Sequence, residues 1–356
     1  MKQLLTGESE LQADSLCLKL LDYSLRVRSN SVLFMQRMRD YFSHVLVPSC
    51  DHARAQITAI DRDIVDAGIE FVDWKREPGK TGRKDAIHDF SGGRLVQKVR
   101  TGMLFLQSDH DLIAAGPCLD YDNQVINFIN SQFLNWLQHD GYVLCHASAL
   151  SRNGKGLAIA GLSGGGKSTL MLNLLEDDVT RFVTNDRLLV RRQPDETHAV
   201  GIPKLPRINP GTIVNNPRLF PLIDEASRAQ LLQLDKDELW KLEDKYDAHI
   251  GELYGRNRIQ HETGLRRFLV LNWKHGAAEK LDVKRVDLDR RPDLLAAIMK
   301  PSGPFYVDAR GYFNRDDNMP EADIYLQALA DIEVFEASGC VDFEALGTIC
   351  HEQLMD

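Results

Sequence analysis

The sequence lacks any long apolar run. Nothing in its 356 residues approaches the ~20 consecutive apolar residues that cross a bilayer, and residues 1–10 carry no secretory hydrophobic segment. A cytoplasmic protein without a membrane partner is the expectation. A basic excess is also missing: the formal net charge is −9, and a chain of that sign has no general attraction for phosphodiester backbones, so nucleic acid is not an expected partner. Six cysteines, at 17, 50, 118, 145, 340 and 350, show no C-x-x-C spacing. That argues against a structural zinc site and against a disulfide scaffold, leaving reduced thiols. There is no internal repeat and no low-complexity segment. The length nonetheless exceeds one average domain.

What is present is periodicity. Residues 18–28 alternate apolar and polar in their second half, as a half-buried strand does. Asn30 and Ser31 offer a cap to a helix whose Val32, Met35, Met38, Phe42 and Val45 recur at helical spacing. Residues 57–116 are rich in strands and loops, punctuated by Pro78, Gly79, Gly82, Gly92 and Gly93, with a hairpin expected from 95–106 and 112–115. Residues 122–139 present one broad apolar face and predict a helix, ended by Asp140 and Gly141. The simplest division is a mixed αβ module over 1–118 and a nucleotide-binding domain over 119–356. In the latter, 268–273 reads as a core strand, and 293–298 and 322–353 read as helices.

The decisive stretch follows a strand over 142–150, a turn at 152–155 and a buried strand over 156–160. Gly161-Leu162-Ser163-Gly164-Gly165-Gly166-Lys167-Ser168 matches G-x-x-x-x-G-K-S/T, with a helix expected from Thr169 onward. Terminal phosphates of a nucleotide must meet main-chain N–H groups without side chains in the way, and the glycines supply that access. The helix beyond adds its N-terminal dipole and its unpaired amides, Lys167 reaches the outer phosphates, and Ser168 helps hold Mg2+. Thr169 adds an α-phosphate contact. ATP and magnesium are therefore the expected cofactors. Leu162 to Gly165 also spells Leu-Ser-Gly-Gly, as in transporter ATPases, but it lies inside the phosphate loop, and no second copy follows.

Such a loop needs an acid at a nearby strand end, to hold the metal or to take the proton of an attacking hydroxyl. Phe182-Val183-Thr184-Asn185-Asp186 supplies one, with Leu188 to Val190 expected to return as the next strand of a hairpin. His146, on the strand before the loop, is by residue chemistry alone more often structural than catalytic. Between Gly201 and Thr212, three prolines stiffen a loop that presents Lys204, Arg207 and Asn209, suited to an anionic substrate or a transferred phosphoryl group, or simply to solvent.

The stretch 144–192, with a histidine strand, a glycine turn, a strand, the phosphate loop and an acidic strand end in succession, resembles the HPr kinase/phosphorylase family. More narrowly it is similar to the HPr-kinase-related kinases of type B. The resemblance implies an α/β fold, α+β overall, with a phosphoenolpyruvate carboxykinase-like P-loop core and a mixed αβ N-terminal module. It implies that His146 lies near the γ-phosphate and assists transfer, beside Lys167 and Ser168. Where HPr kinases carry two aspartates, this chain has Asn185 and then Asp186, and the glutamate signature that follows in them is replaced by 201–212. That departure leaves Asp186 as base, metal partner or both. The expected activity is transfer of the γ-phosphoryl of Mg-ATP to a hydroxyl of a small molecule or small protein. A protein serine kinase of the HPr-kinase type and a nucleotide-binding switch without transfer are the competing readings. Assembly into a homo-oligomer is left open.

Overall fold

Apolar residues build two large sheets, beside a two-stranded one of Arg207–Ile208 and Tyr246–Asp247. The structure, a computed structural model, describes every residue except 77–80, 162–164, 243, 275, 317 and 319. Pro78, Gly79, Ser163 and Gly164, all singled out above, therefore lie outside the described residues. Contacts divide the chain into two compact units, Met1–Asp140 with Pro301–Met319, and Gly141–Lys300 with Pro320–Asp356. Both are mixed αβ with mixed sheets. Among the described residues no helix is long and apolar enough to cross a membrane.

In the first unit an eight-stranded sheet runs in the order Leu16–Leu20, Tyr23–Ser29, Ala55–Asp61, Leu112–Gly116, Leu104–Ser108, Gly93–Lys98, Asp85–Phe90, Val72–Asp73. The strand Ala55–Asp61 is parallel to both of its neighbours, and the other pairings are antiparallel. The helix Val32–Tyr41 starts where its cap predicts, the Ser31 side chain accepting from Phe34 N–H. Met35, Met38, Phe42 and Val45 are buried, whereas Val32 is 63% exposed and stands outside the apolar face. Asp122–His139 is a helix as the periodicity predicts. It falls in this unit, where the division at 118/119 assigned it to the other, and its Phe128 packs on Phe105 and Phe305 at centroid distances of 5.2 and 4.9 Å. The expectation of reduced thiols is corrected at one pair: Cys17 and Cys50 form a disulfide, brought to a Cα separation of 5.3 Å across 33 residues. Spacing alone could not reveal a pair that only the sheet assembles.

In the second unit, Lys155–Gly161 and the ten-residue strand Glu262–Leu271 run parallel at the centre of a nine-stranded sheet. One edge of the long strand is shared, its first half pairing with Thr197–Gly201 and its second with Glu333–Ser338. The expectation of helices throughout 322–353 is thus corrected, since a strand lies between Ala322–Ala328 and Phe343–Ile349. Both faces are covered. Leu157 and Ile159 join Leu170, Leu174 and Leu346 on one side, while Ala147, Ala149, Ala158 and Ala160 meet Leu294, Leu295 and Ile298 on the other. The small side chains let the helix Pro292–Ile298 lie close to the strands. Full burial of each large apolar side chain contributes roughly 1.5–3 kcal/mol.

Two strands differ from expectation in a way that matters. Residues 142–150 are not one strand but two, Val143–Cys145 and Ala147–Arg152, broken at His146. The strands Thr180–Thr184 and Leu188–Arg192 do not form a hairpin with each other. The first pairs with Ala147–Arg152 and the second with Val143–Cys145. The two crossings between partners, His146 and residues 185–187, are therefore opposite one another.

Candidate active site

That opposition is what joins His146 to Asp186. With Ala149 registered on Thr184 and Cys145 on Leu188, the intervening residues face the same opening, and His146 Nε2 lies 3.3 Å from Asp186 Oδ1. His146 N–H donates to the Ile298 carbonyl (2.7 Å). The end of the same helix delivers Lys300, whose Nζ is 3.6 Å from Asp186 Oδ1. Arg187 Nε lies 3.6 Å from Asp186 Oδ2. Asn185 is held through its carbonyl by Ser148 Oγ (2.8 Å). Gly201 closes the crossing from behind. A Cβ there would sit 2.0 Å from the Val183 carbonyl oxygen, so only glycine lets the two backbones approach this closely.

The glycine loop runs from the strand end at Gly161 to the helix Lys167–Leu174. Gly166 caps the helix at φ 83°, a left-handed conformation that glycine adopts without strain, and a Cβ would meet the Phe343 ring at 2.5 Å. Trp273 Nε1 donates to the Gly165 carbonyl (2.8 Å), and its ring stands edge-on to Phe343 at 5.0 Å. Two aromatics thus pin the end of the loop. The first helical hydrogen bond is Leu170 N–H to the Gly166 carbonyl, so the amides of the first turn are those a helix leaves without intrahelical carbonyls. Lys167 Nζ donates to the Gly161 carbonyl (2.8 Å), and Thr169 Oγ1 is paired with Thr212 Oγ1 (2.7 Å).

A cavity of about 1340 Å³ gathers His146, Gly165, Gly166, Lys167, Ser168 and Thr169 with Asp186 and with Lys204, Arg207 and Asn209. The structure thus brings together every described residue that sequence reasoning assigned to the site except Gly161, whose carbonyl instead receives Lys167. Arg207 reaches Asp247 Oδ1 (3.2 Å) and the Lys245 carbonyl (3.2 Å), and Asn209 caps the short helix Pro210–Val214. Asn209 Oδ1 and Arg187 Nε are buried without a hydrogen-bond partner among the described residues. No group of three or more His, Cys, Asp or Glu is placed to hold a metal among the described residues.

Likeness to known proteins adds little to this. No protein-family model matches the chain, and no curated protein matches it. Solved structures that match include the Hpr(Ser) kinase/phosphatase from Coxiella burnetii, at a TM-score of 0.28 and 10% identity, over 59% of this chain and 93% of that one. A superposition that loose carries no argument, and the reading of the site rests on its geometry.

Electrostatics makes the geometry specific. The cavity wall carries Lys167, Arg187, Lys204, Arg207, Lys236 and Lys245 against Asp186 and Glu344, six cations to two carboxylates, in a chain whose formal charge is −9. Burial, followed by Lys300 and Lys245, pushes the Lys167 ammonium down to about 8 even though Asp186 opposes the shift. Burial, then Arg187, Lys300 and Arg207, does the same to Lys204, also to about 8. Burial works against the Asp186 carboxylate, but Lys300, the hydrogen bond from His146, Arg187 and Lys204 outweigh it and hold the group well below the usual range. Asp186 still keeps 38% of its side-chain surface accessible, through the cavity. The bond to Asp186 draws the His146 pKa up, yet burial and the charges of Lys300 and Lys167 prevail, so it is lowered and the ring is neutral at pH 7. Sequence reasoning missed Lys300, Trp273 and Phe343, which carry no motif. Arg187 had a signal, its adjacency to Asp186.

Proposed function

We propose that the chain is an ATP-dependent kinase that transfers the γ-phosphoryl group of Mg-ATP to a hydroxyl of a small molecule or small protein. One observation carries the reading: six cations and two carboxylates share a cavity at the start of the helix that follows G-x-x-x-x-G-K-S. Crowding cations in an acidic chain costs free energy that a polyanion offsets, and a triphosphate is the polyanion this motif takes.

In this reading the loop amides and Lys167 hold the outer phosphates, and Ser168 Oγ and Asp186 would be the hard oxygen donors that hold magnesium. The bound ion would offset charge on the phosphates. Asp186 accepts the hydrogen bond of the attacking hydroxyl and aims it at the γ-phosphorus. Its depressed pKa makes it a weak base, which is no obstacle, because a loose phosphoryl transition state asks for alignment and charge stabilisation before proton removal. Neutral His146 steers the carboxylate, and Lys300 anchors it from the other side.

The same weak basicity favours a second reading, a nucleotide-binding switch without transfer. One experiment separates the two. The full chain is given magnesium and γ-labelled ATP with a cell lysate fractionated by size, beside Lys167→Ala and Asp186→Asn. The kinase reading expects nucleotide uptake that Lys167→Ala weakens about tenfold or more, and label transferred to an acceptor that Asp186→Asn does not modify. Uptake indifferent to Lys167→Ala would refute nucleotide binding at this loop, and tight uptake with no labelled product in any fraction would favour the switch.

A further inference from the structure

The cavity exceeds what one ligand needs. Its volume of about 1340 Å³ lies above the ~300–1,000 Å³ of an ordinary small-molecule site, and its cations come from separate segments, among them the glycine loop and the proline-stiffened loop. Lys167 belongs to the glycine loop and feels Lys300 and Lys245. Lys204, from the proline-stiffened segment, feels Arg187, Lys300 and Arg207. Asp186 acts on both lysines. Phosphates on the glycine loop leave Lys204 and its neighbours unused.

Polar atoms near Lys204 lack hydrogen-bond partners among the described residues. Lys204 makes no side-chain hydrogen bond or ion pair among the described residues. Arg187 Nε is buried and has no hydrogen-bond acceptor among the described residues, with Asp186 Oδ2 3.6 Å away. Asn209 Oδ1 is a buried acceptor with no donor among the described residues. Lys300, Arg187 and Lys204 act on the single Asp186 carboxylate, so positive charge exceeds negative at this crossing and favours an anionic ligand. Arginine beside lysine is the pairing that phosphate oxygens favour.

We propose that the acceptor is a small phosphorylated alcohol whose phosphate monoester binds Lys204, Arg187 and Arg207 and whose free hydroxyl is presented to Asp186. A hydroxyl of that ligand also supplies the donor that Asn209 lacks. This rests on the kinase reading above and names its substrate class. In the transfer, the acceptor oxygen bonds to the γ-phosphorus while the bond from that phosphorus to the β–γ bridging oxygen breaks. ADP departs with the electron pair, and the hydroxyl proton passes to Asp186 and on to water.

The test uses the full chain saturated with magnesium and a non-hydrolysable ATP analogue, so that the γ-phosphate position is filled, and titrates inorganic phosphate by calorimetry. One phosphate site is expected. Lys204→Met should weaken it by a factor at least tenfold larger than any effect on the nucleotide, Lys204→Arg should retain it, and the Lys204→Met chain should melt no lower than the parent. ADP production from Mg-ATP should then be stimulated by phosphate monoesters of small polyols and not by the unphosphorylated parents. No phosphate uptake by the nucleotide-saturated chain, uptake untouched by Lys204→Met, or equal stimulation by neutral polyols, hydroxy acids or protein would overturn the proposal while leaving the kinase reading intact. Failure of nucleotide uptake itself would remove both.

Discussion

Raising the pH from 7 to 9 should weaken Mg-ATP binding about tenfold through Lys167 alone. A lysine held at about 8 is about 90% protonated at pH 7 and about 10% at pH 9, and only the ammonium pairs with phosphate. In the complex the phosphates keep it charged across that range. The free chain must therefore take up a proton on binding above pH 8, at a cost of about 1.4 kcal/mol per pH unit. The sign is fixed by which state binds more protons: affinity is flat below about pH 7 and declines above 8. Lys167→Met should lose about 1.5–3 kcal/mol at pH 7, the worth of a charge-assisted hydrogen bond, and should show a shallower decline thereafter. Lys204 titrates in the same window, but its step should appear in the KM of an anionic acceptor rather than in the nucleotide Kd. Calorimetry at pH 7, 8 and 9 and constant ionic strength reads both quantities. A nucleotide affinity that stays level to pH 9, or a decline of identical steepness in Lys167→Met, would refute the reasoning.

Two other perturbations follow from the same structure. Asp186→Asn removes the one carboxylate facing His146, Lys300 and Arg187 at 3.3, 3.6 and 3.6 Å. The two ion pairs, with Lys300 and Arg187, are each worth roughly 4 kcal/mol at an effective dielectric of 20, which partial exposure and the carboxylate's own desolvation reduce to a net loss of about 1–2 kcal/mol. Because the carboxyl is depressed in the fold, its contribution is present above the ordinary carboxylate range and is lost as pH falls through the depressed value. Urea titrations should therefore separate the variant from the parent at pH 7 and converge in strong acid, and phosphotransfer should fall by about 10²–10⁴; equal stability at pH 7 would count against the ion cluster. The Cys17–Cys50 bridge predicts four reactive thiols, Cys118, Cys145, Cys340 and Cys350, in the denatured, unreduced chain. Six would show the pair open. Reduction should destabilise the first unit by roughly 3–4 kcal/mol, from the loop that the bridge closes.

Local patterns were legible in the sequence, and long-range pairing was not. The helix Asp122–His139 could be read because eighteen residues repeat one apolar face, and the glycine loop because its spacing is itself the chemistry. The disulfide, the strand Glu333–Ser338 and the partners of Leu188–Arg192 depend on what lies beside them in space. Glu333–Ser338 shows why: only Val334 and Ala337 are buried, so no period of two marks it as a strand, and its place is set by the long strand it joins.

The site divides along the same line, and the division bears on function. Lys167, Ser168 and Asp186 are each announced by their neighbours in sequence. What tunes them comes from elsewhere: Lys300 from the end of a helix more than a hundred residues downstream, Trp273 from beyond the long strand, and Lys204 from the proline-stiffened segment. The motif predicts that phosphate is bound. The surroundings decide what else is, because the positive charge left over beside Asp186 arises from residues that no nucleotide motif contains. An enzyme sharing the loop but lacking Lys204 and Arg187 would keep the nucleotide and lose the attraction for an anionic acceptor. On the proposed reading, the substrate class is set by the crossing at 185–187 and the segment 202–209, not by the glycine loop.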